Sequence, residues 1–282
     1  MDTAVAILER SGHAVSLFPT PGPGTAADIA RQAVCSGAEF ILAAGGDGTV
    51  NEIINGMVHS RVPLGILPAG TANVLATEIG LPRSLSRAAR LLPECVARRI
   101  AVGCLTPGPA DRFFICMTGV GFDAQIVYNI DAGLKRLLGK TAYWIGGFGQ
   151  VVRRFPEFQV EIDGNERTTC SFALVSRVRN YGGDFEIARG VRLLDDRFEL
   201  VLFRGRTPLP YLKYVLGMTL GRLAGMRGVS FHQARCVRIF DPDDRRIYVQ
   251  VDGENAGSLP VHVSLVPDAL TLLIPPPYLN RL

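Results

Sequence analysis

Gly45-Gly46-Asp47-Gly48-Thr49, with Glu52 three residues on, sets a carboxylate and a hydroxyl among glycines. A turn of this kind ahead of a helix points unpaired backbone N–H groups and the positive helix end at one spot, which suits phosphate. Glycine lets the backbone approach an anion without side-chain obstruction. Asp47 adds a carboxylate able to hold a metal ion that bridges phosphates. Thr49 and Glu52 have capping-box spacing: the hydroxyl takes an orphan N–H at the helix start, and the Glu reaches back. Gly70-Thr71-Ala72-Asn73 repeats the device, again with a Thr able to cap. Far downstream, Asp252-Gly253 between two strand-like runs is a hairpin signal, and Glu254 follows it.

These turns need elements to position them. Phe40–Ala44 is a short apolar run of the kind that forms a buried parallel strand, and Val50, Ile53, Ile54 and Met57 recur at helical spacing. Val62–Pro68 predicts a second strand and Val74–Ile79 a helix start. Two glycine turns at the carboxyl ends of parallel strands line one crevice. Upstream, the pattern predicts a helix ending at Arg10, a strand over His13–Phe18, a loop over Pro19–Gly24 and a helix from Thr25 to Gly37. The order α-β-α-β-α implies a parallel sheet with crossover helices. Such a domain is expected to begin with a strand, yet this sequence opens inside a helix, so the expectation is that either the sequence starts too late or the domain lacks its first strand and part of its phosphate site.

A helix over Pro82–Pro93 closes this part, and near residues 97–100 the pattern changes. Strand-like runs follow at Ile100–Leu105, Phe113–Thr118, Phe158–Asp163, Cys170–Val178, Phe198–Phe203, Val237–Phe240, Ile247–Val251, Val261–Val266 and Leu270–Ile274. Few helices interrupt them, which predicts an antiparallel sheet or sandwich. The exceptions are Tyr211–Leu223 and Lys135–Phe155; the second mixes basic and apolar residues and suits either a membrane surface or its own domain.

Composition narrows the class. At 48% hydrophobic residues the chain can build a real core, and no apolar run reaches the ~20 residues that span a bilayer. Met1-Asp2-Thr3 opens without a basic n-region, so no signal peptide is expected. The six cysteines form no CxxC pair and the four histidines show no ligand spacing, so a zinc site is not expected and a reducing cytoplasm is the simplest home. A net charge of +4 is a mild basic bias, compatible with an anionic membrane surface or a nucleotide and too weak to argue for either.

GGDGTVNE at Gly45–Glu52 resembles the nucleotide-binding signature of the diacylglycerol kinase-like lipid kinases, and LGILPAGTAN, GVGFDA and VDGE follow in that family's order. Related GGDGT turns occur in NAD kinases, whose second-domain Gly-Ser-Thr-Ala signature is absent here. The resemblance implies an α/β + β fold. A Rossmann-like parallel-sheet nucleotide domain spans residues 1–98, a β-sandwich-like lipid domain 99–276, and a tail 277–282. It implies ATP and Mg2+ as cofactors and transfer of the γ-phosphoryl group to a lipid hydroxyl, diacylglycerol or a related lipid. It places Thr20, Gly45, Gly46, Asp47, Gly48, Thr49, Glu52, Gly70, Thr71 and Asn73 at the nucleotide. Glu254 becomes the general base, with Asp47 beside it in the catalytic set. Asp47, Asp195 and Asp196 become metal ligands, although Arg197 stands where the family has glycine, and Val74 where it often has Asp. The partner expected is a lipid substrate at the membrane surface, with no nucleic acid; a homodimer stays open, as does peripheral attachment of a cytoplasmic protein to the membrane. The alternatives are a non-catalytic nucleotide- or lipid-binding homologue and an NAD kinase-like enzyme.

Overall fold

The computed structural model describes residues 1–106, 111–122, 124, 155–182 and 185–280. The predicted helix over Lys135–Phe155 falls almost wholly outside them. The chain forms two units, Met1–Val102 with Val266–Leu282, and Gly103–Leu265.

In the first unit, helices α1 (Asp2–Arg10) and α2 (Ala26–Cys35) precede strand β1 (Ile41–Gly45), helix α3 (Asp47–Met57) and strand β2 (Leu64–Pro68). Short helices α4 (Val74–Glu78) and α5 (Leu85–Leu91) follow. β1 and β2 pair in parallel, Ala43 opposite Ile66, as their unbroken apolar runs require. Ala4 and Leu8 of α1 pack with Ala88, Ala89 and Leu92 over Leu67. The predicted strand at His13–Phe18 does not form: it makes no ladder among the described residues, and Leu17 and Phe18 are exposed.

The sequence-based division puts residues 266–282 in the second domain and a tail; the structure returns them to the first unit. Arg99 holds them there, donating to the Asp268 carboxylate (2.9 Å), the Asp268 carbonyl and the Ser60 carbonyl (2.7 Å). Tyr278 donates a buried hydrogen bond of 2.9 Å to Glu78.

The second unit is antiparallel. Strands β3 (Val96–Thr106) and β16 (Val261–Ile274) run on from one unit into the other. Between them come β4 (Arg112–Phe114), β5 (Met117–Gly121), β6 (Phe158–Ile162), β7 (Glu166–Cys170), β8 (Phe172–Ser176), β9 (Asn180–Tyr181), β10 (Phe185–Glu186) and β11 (Phe198–Phe203). After helix α6 (Pro208–Thr219) follow β12 (Val229–Ala234), β13 (Cys236–Phe240), β14 (Tyr248–Val251) and β15 (Glu254–Ser258); helix α7 (Pro276–Leu279) ends the described chain. One sheet has the order β12-β11-β8-β5-β14-β15. It faces β13, β6 and the first half of β16 across a core that includes Phe158, Val160, Phe198, Leu200, Val237 and Val263. β11 is buried at every position because its other face is covered too, with Phe203 against Tyr214 of α6. A strand covered on both sides reads as a continuous apolar run, as FELVLF nearly does. The single inward polar group, Glu199, takes the Gly190 N–H at 2.6 Å, and burial pushes its carboxyl up.

Candidate functional site

The first glycine turn joins β1 to α3. Gly46 is the extended residue before the helix, and the first intrahelical bond runs from the Val50 N–H to the Gly46 carbonyl at 3.0 Å. The N–H groups of Gly48 and Thr49 are therefore helix-start donors with no intrahelical acceptor. Thr49 is not the capping residue; its side chain lies over Gly45, where an added Cβ would come within 2.7 Å of it.

The predicted capping box does not form. Glu52 instead accepts the N–H groups of Gly24 (2.8 Å) and Ala26 (3.0 Å), capping α2. A carboxylate one turn into α3 satisfies the orphan donors of the helix packed beside it.

The second turn joins β2 to α4. Asn73 occupies the left-handed region at φ 49°, which Asn tolerates better than most side chains. Its amide closes the turn on itself: Oδ1 accepts the Gly70 N–H and Nδ2 donates to the Gly70 carbonyl, both at 2.8 Å. Asn73, not Thr71, organises this helix start; Thr71 is exposed. The two turns touch. A Cβ on Gly70 would lie 2.5 Å from the Gly46 Cα, so only glycine permits the approach. Asp47 Oδ1 then accepts the Val74 N–H at 2.7 Å, tying the first turn to the second. Burial pushes the Asp47 carboxyl above its ordinary range, against the pull of the backbone N–H groups of Val74 and Asn73. Val74 stands where the resembling family often has Asp, and its backbone, whatever its side chain, supplies the donor. Thr20 is exposed and makes no hydrogen bond to either turn among the described residues.

In the second unit, Asp252-Gly253 is a two-residue hairpin turn with φ 46° and 83°, pairing Val251 with Glu254. Both central residues have positive φ, as the hairpin-matching turn requires. The Asp252 carboxylate accepts the N–H groups of Ile115 (3.1 Å), Cys116 (3.1 Å) and Met117 (2.8 Å). This anchors the turn and hence Glu254. Glu254 is partly exposed and pairs with Arg112 at 2.5 Å; Arg112 also donates to the Asn255 carbonyl at 2.9 Å. Sequence reasoning missed Arg112 and Asp252 as positioning residues. No spacing links Arg112 to a motif 142 positions away.

No three His, Cys, Asp or Glu side chains converge as a metal site among the described residues. Asp195 closes its own turn by accepting the Arg192 N–H at 3.0 Å, and it lies between the guanidiniums of Arg192 and Arg197. Asp196 is exposed and uses its carbonyl on Arg235. Flanking arginines oppose a cation there.

Paired glycine turns at parallel strand ends, followed by an antiparallel sandwich, define a two-unit α/β + β fold. The sequence profile of the diacylglycerol kinase catalytic domain matches residues 1–105, and that of the YegS C-terminal NAD kinase beta sandwich-like domain matches residues 116–274. A protein named probable lipid kinase YegS-like, from Chromohalobacter salexigens, is 31% identical over 278 residues, 96% of this chain and 88% of that protein. Diacylglycerol kinase of Bacillus subtilis (strain 168) is 28% identical over 257 residues, 89% of this chain and 83% of that protein. A crystal structure of a diacylglycerol kinase from Bacillus anthracis str. Sterne superposes with a TM-score of 0.78 at 23% identity, covering 97% of this chain and 90% of that one. The chain belongs to the diacylglycerol kinase-like family of lipid kinases. No described helix is long and apolar enough to cross a membrane.

Proposed function

We propose that this protein transfers the γ-phosphoryl group of ATP to the hydroxyl of a lipid, diacylglycerol or a related single-hydroxyl lipid. The observation that carries the reading is the pair of interlocked glycine turns, where the α3 N-terminus offers the Gly48 and Thr49 N–H groups to phosphate oxygens. ATP supplies the phosphoryl group, and the chain's own residues position and deprotonate. Asp47 holds the two turns at one spacing. Glu254, oriented by Arg112, takes the proton from the attacking hydroxyl. Mg2+ enters this reading as the ion that arrives with ATP, since Mg2+ is usually held by substrate phosphates with one or two carboxylates.

The second reading is a non-catalytic nucleotide- or lipid-binding member of the family. The engagement of both Asp47 and Glu254 by protein partners favours it. Labelled ATP incubated with the full chain and a lipid panel, with NAD as a further acceptor, separates the readings. The proposal expects label in a lipid. Nucleotide binding with no labelled product moves the assignment to the binding protein, and label in NAD alone moves it to the NAD kinase-like alternative.

A further inference from the structure

Helix α6 is apolar on two opposite faces. Tyr211, Tyr214 and Met218 are buried toward the sheet, as a covering helix requires. The outer face carries Leu209, Leu212, Leu216 and Leu220, which are 64%, 53%, 60% and 60% exposed. At 100° per residue these four fall within about 80° of one another, one continuous stripe. Scattered exposed leucines are ordinary, whereas an aligned row along three turns marks a surface that meets something apolar.

The charge around the stripe identifies what it meets. Along the chain from Leu200 to Phe240 there is no Asp or Glu and there are seven Arg or Lys, and Glu186 of β10, which packs on α6, is paired with Arg189. Arg206 is spent on Glu157. Lys213 flanks the stripe, and Arg222 and Arg227 follow the helix; all three are exposed, and none is ion-paired among the described residues. Apolar row with a cationic rim complements an anionic lipid bilayer: leucines enter the acyl boundary while the cations meet headgroup phosphates. A second copy of this chain fits poorly, because a two-fold interface would bring the same cations face to face.

We infer that the outer face of α6 docks this protein onto an anionic membrane surface, lying in the interface without crossing it. The inference takes its context from the lipid kinase reading but stands on the stripe and its charge. The test is co-sedimentation of the full chain with vesicles of phosphatidylcholine alone and of phosphatidylcholine mixed with phosphatidylglycerol. Binding to the mixed vesicles should exceed binding to the neutral ones. Leu212→Ser combined with Leu216→Ser should weaken it by at least about tenfold. Lys213→Ala and Arg222→Ala should each cost about fivefold on mixed vesicles and little on neutral ones. All four side chains are exposed, so melting temperatures should hold; Leu209→Gln with Leu220→Gln repeats the leucine test at independent positions. Wild-type protein that ignores mixed vesicles, or leucine variants that bind them undiminished, would overturn the inference. So would a wild-type dimer in sedimentation velocity that the leucine substitutions dissociate, which would hand the stripe to a second copy. Phosphoryl transfer to detergent-dispersed lipid, read in parallel, keeps the two claims apart: its absence removes the kinase reading and leaves the vesicle result standing.

Discussion

The turn around Asp47 and the turn around Asp252 both set an aspartate beside glycine, and both aspartates accept backbone N–H groups from another segment. They differ in where the partner comes from. Asp47 reaches the start of the next βα unit, 27 residues on, and joins two copies of one device. Asp252 reaches back 135 to 137 residues to a segment with no motif of its own. The first turn is tied to a neighbour built alike; the second is tied to a distant segment of the chain. In each case the motif's aspartate braces, and under the proposed function the chemistry falls to atoms beside it: the N–H groups of Gly48 and Thr49, and the Glu254 carboxylate.

The largest effect expected from this division of labour is at Glu254. Glu254→Gln keeps size and hydrogen-bonding capacity and removes the charge. If Glu254 is the base, the initial rate of lipid phosphorylation should fall by ~10²–10⁴ with ATP affinity nearly unchanged. A neutral substitution in an active enzyme would reduce Glu254 to a hairpin residue and erase the contrast on the lipid side.

Next comes stability at Asp252. Replacing it with Ala strands three N–H groups of Ile115–Met117, and a loss of about 3 kcal/mol in urea unfolding is expected. A loss under about 1 kcal/mol would show that water replaces the carboxylate and that the turn needs no brace.

Gly70→Ala tests the other side. Its Cβ would lie 2.5 Å from the Gly46 backbone, which cannot move aside as a side chain can. The turns must separate, at a cost of about 2 kcal/mol in stability. Calorimetric ATP affinity should weaken by more than that destabilisation alone would explain. Unchanged affinity would mean that the spacing of the two turns does not matter to nucleotide.

This contrast also marks what the sequence could say. The strand–glycine–helix order around Asp47 was legible because every part lies within one short window and each residue type has a local reason. The use of Glu52 was not legible, because the capping-box spacing is satisfied on paper while a neighbouring helix start offers two better-placed donors. His13–Phe18 has strand-like residues, but a strand also needs a partner, and no pattern within six residues reports that. The return of residues 266–282 to the first unit was hidden for the same reason: Val261–Ile274 reads as the sandwich's last strands, and only its pairing of Leu272 with Leu64 shows where it ends. Arg112, the partner of Glu254, has no local signature at all.

The smallest effect expected is electrostatic, and it decides whether Asp47 braces as an ion or merely as an acceptor. Burial raises its carboxyl above the ordinary 3.8, outweighing the N–H donors that favour the anion. The folded protein then holds this proton more tightly than the unfolded chain does. Its contribution to stability is complete below 3.8 and is lost as pH rises through the raised folded value. Asp47→Asn keeps a carbonyl acceptor for the Val74 N–H and removes the titration. The stability of wild type minus Asp47→Asn, from urea unfolding at a series of pH values, should therefore decline as pH rises from about 3.8. Asp241 supplies a control of opposite sign. Two hydrogen bonds of 2.8 Å from Arg245 hold its carboxyl below the ordinary range, so its stabilisation is present above 3.8 and lost on acidification. The difference curve for Asp241→Asn should accordingly rise with pH where that for Asp47→Asn falls. If both curves rise, the N–H groups of the second turn outweigh burial at Asp47, and the first turn is braced by a charge.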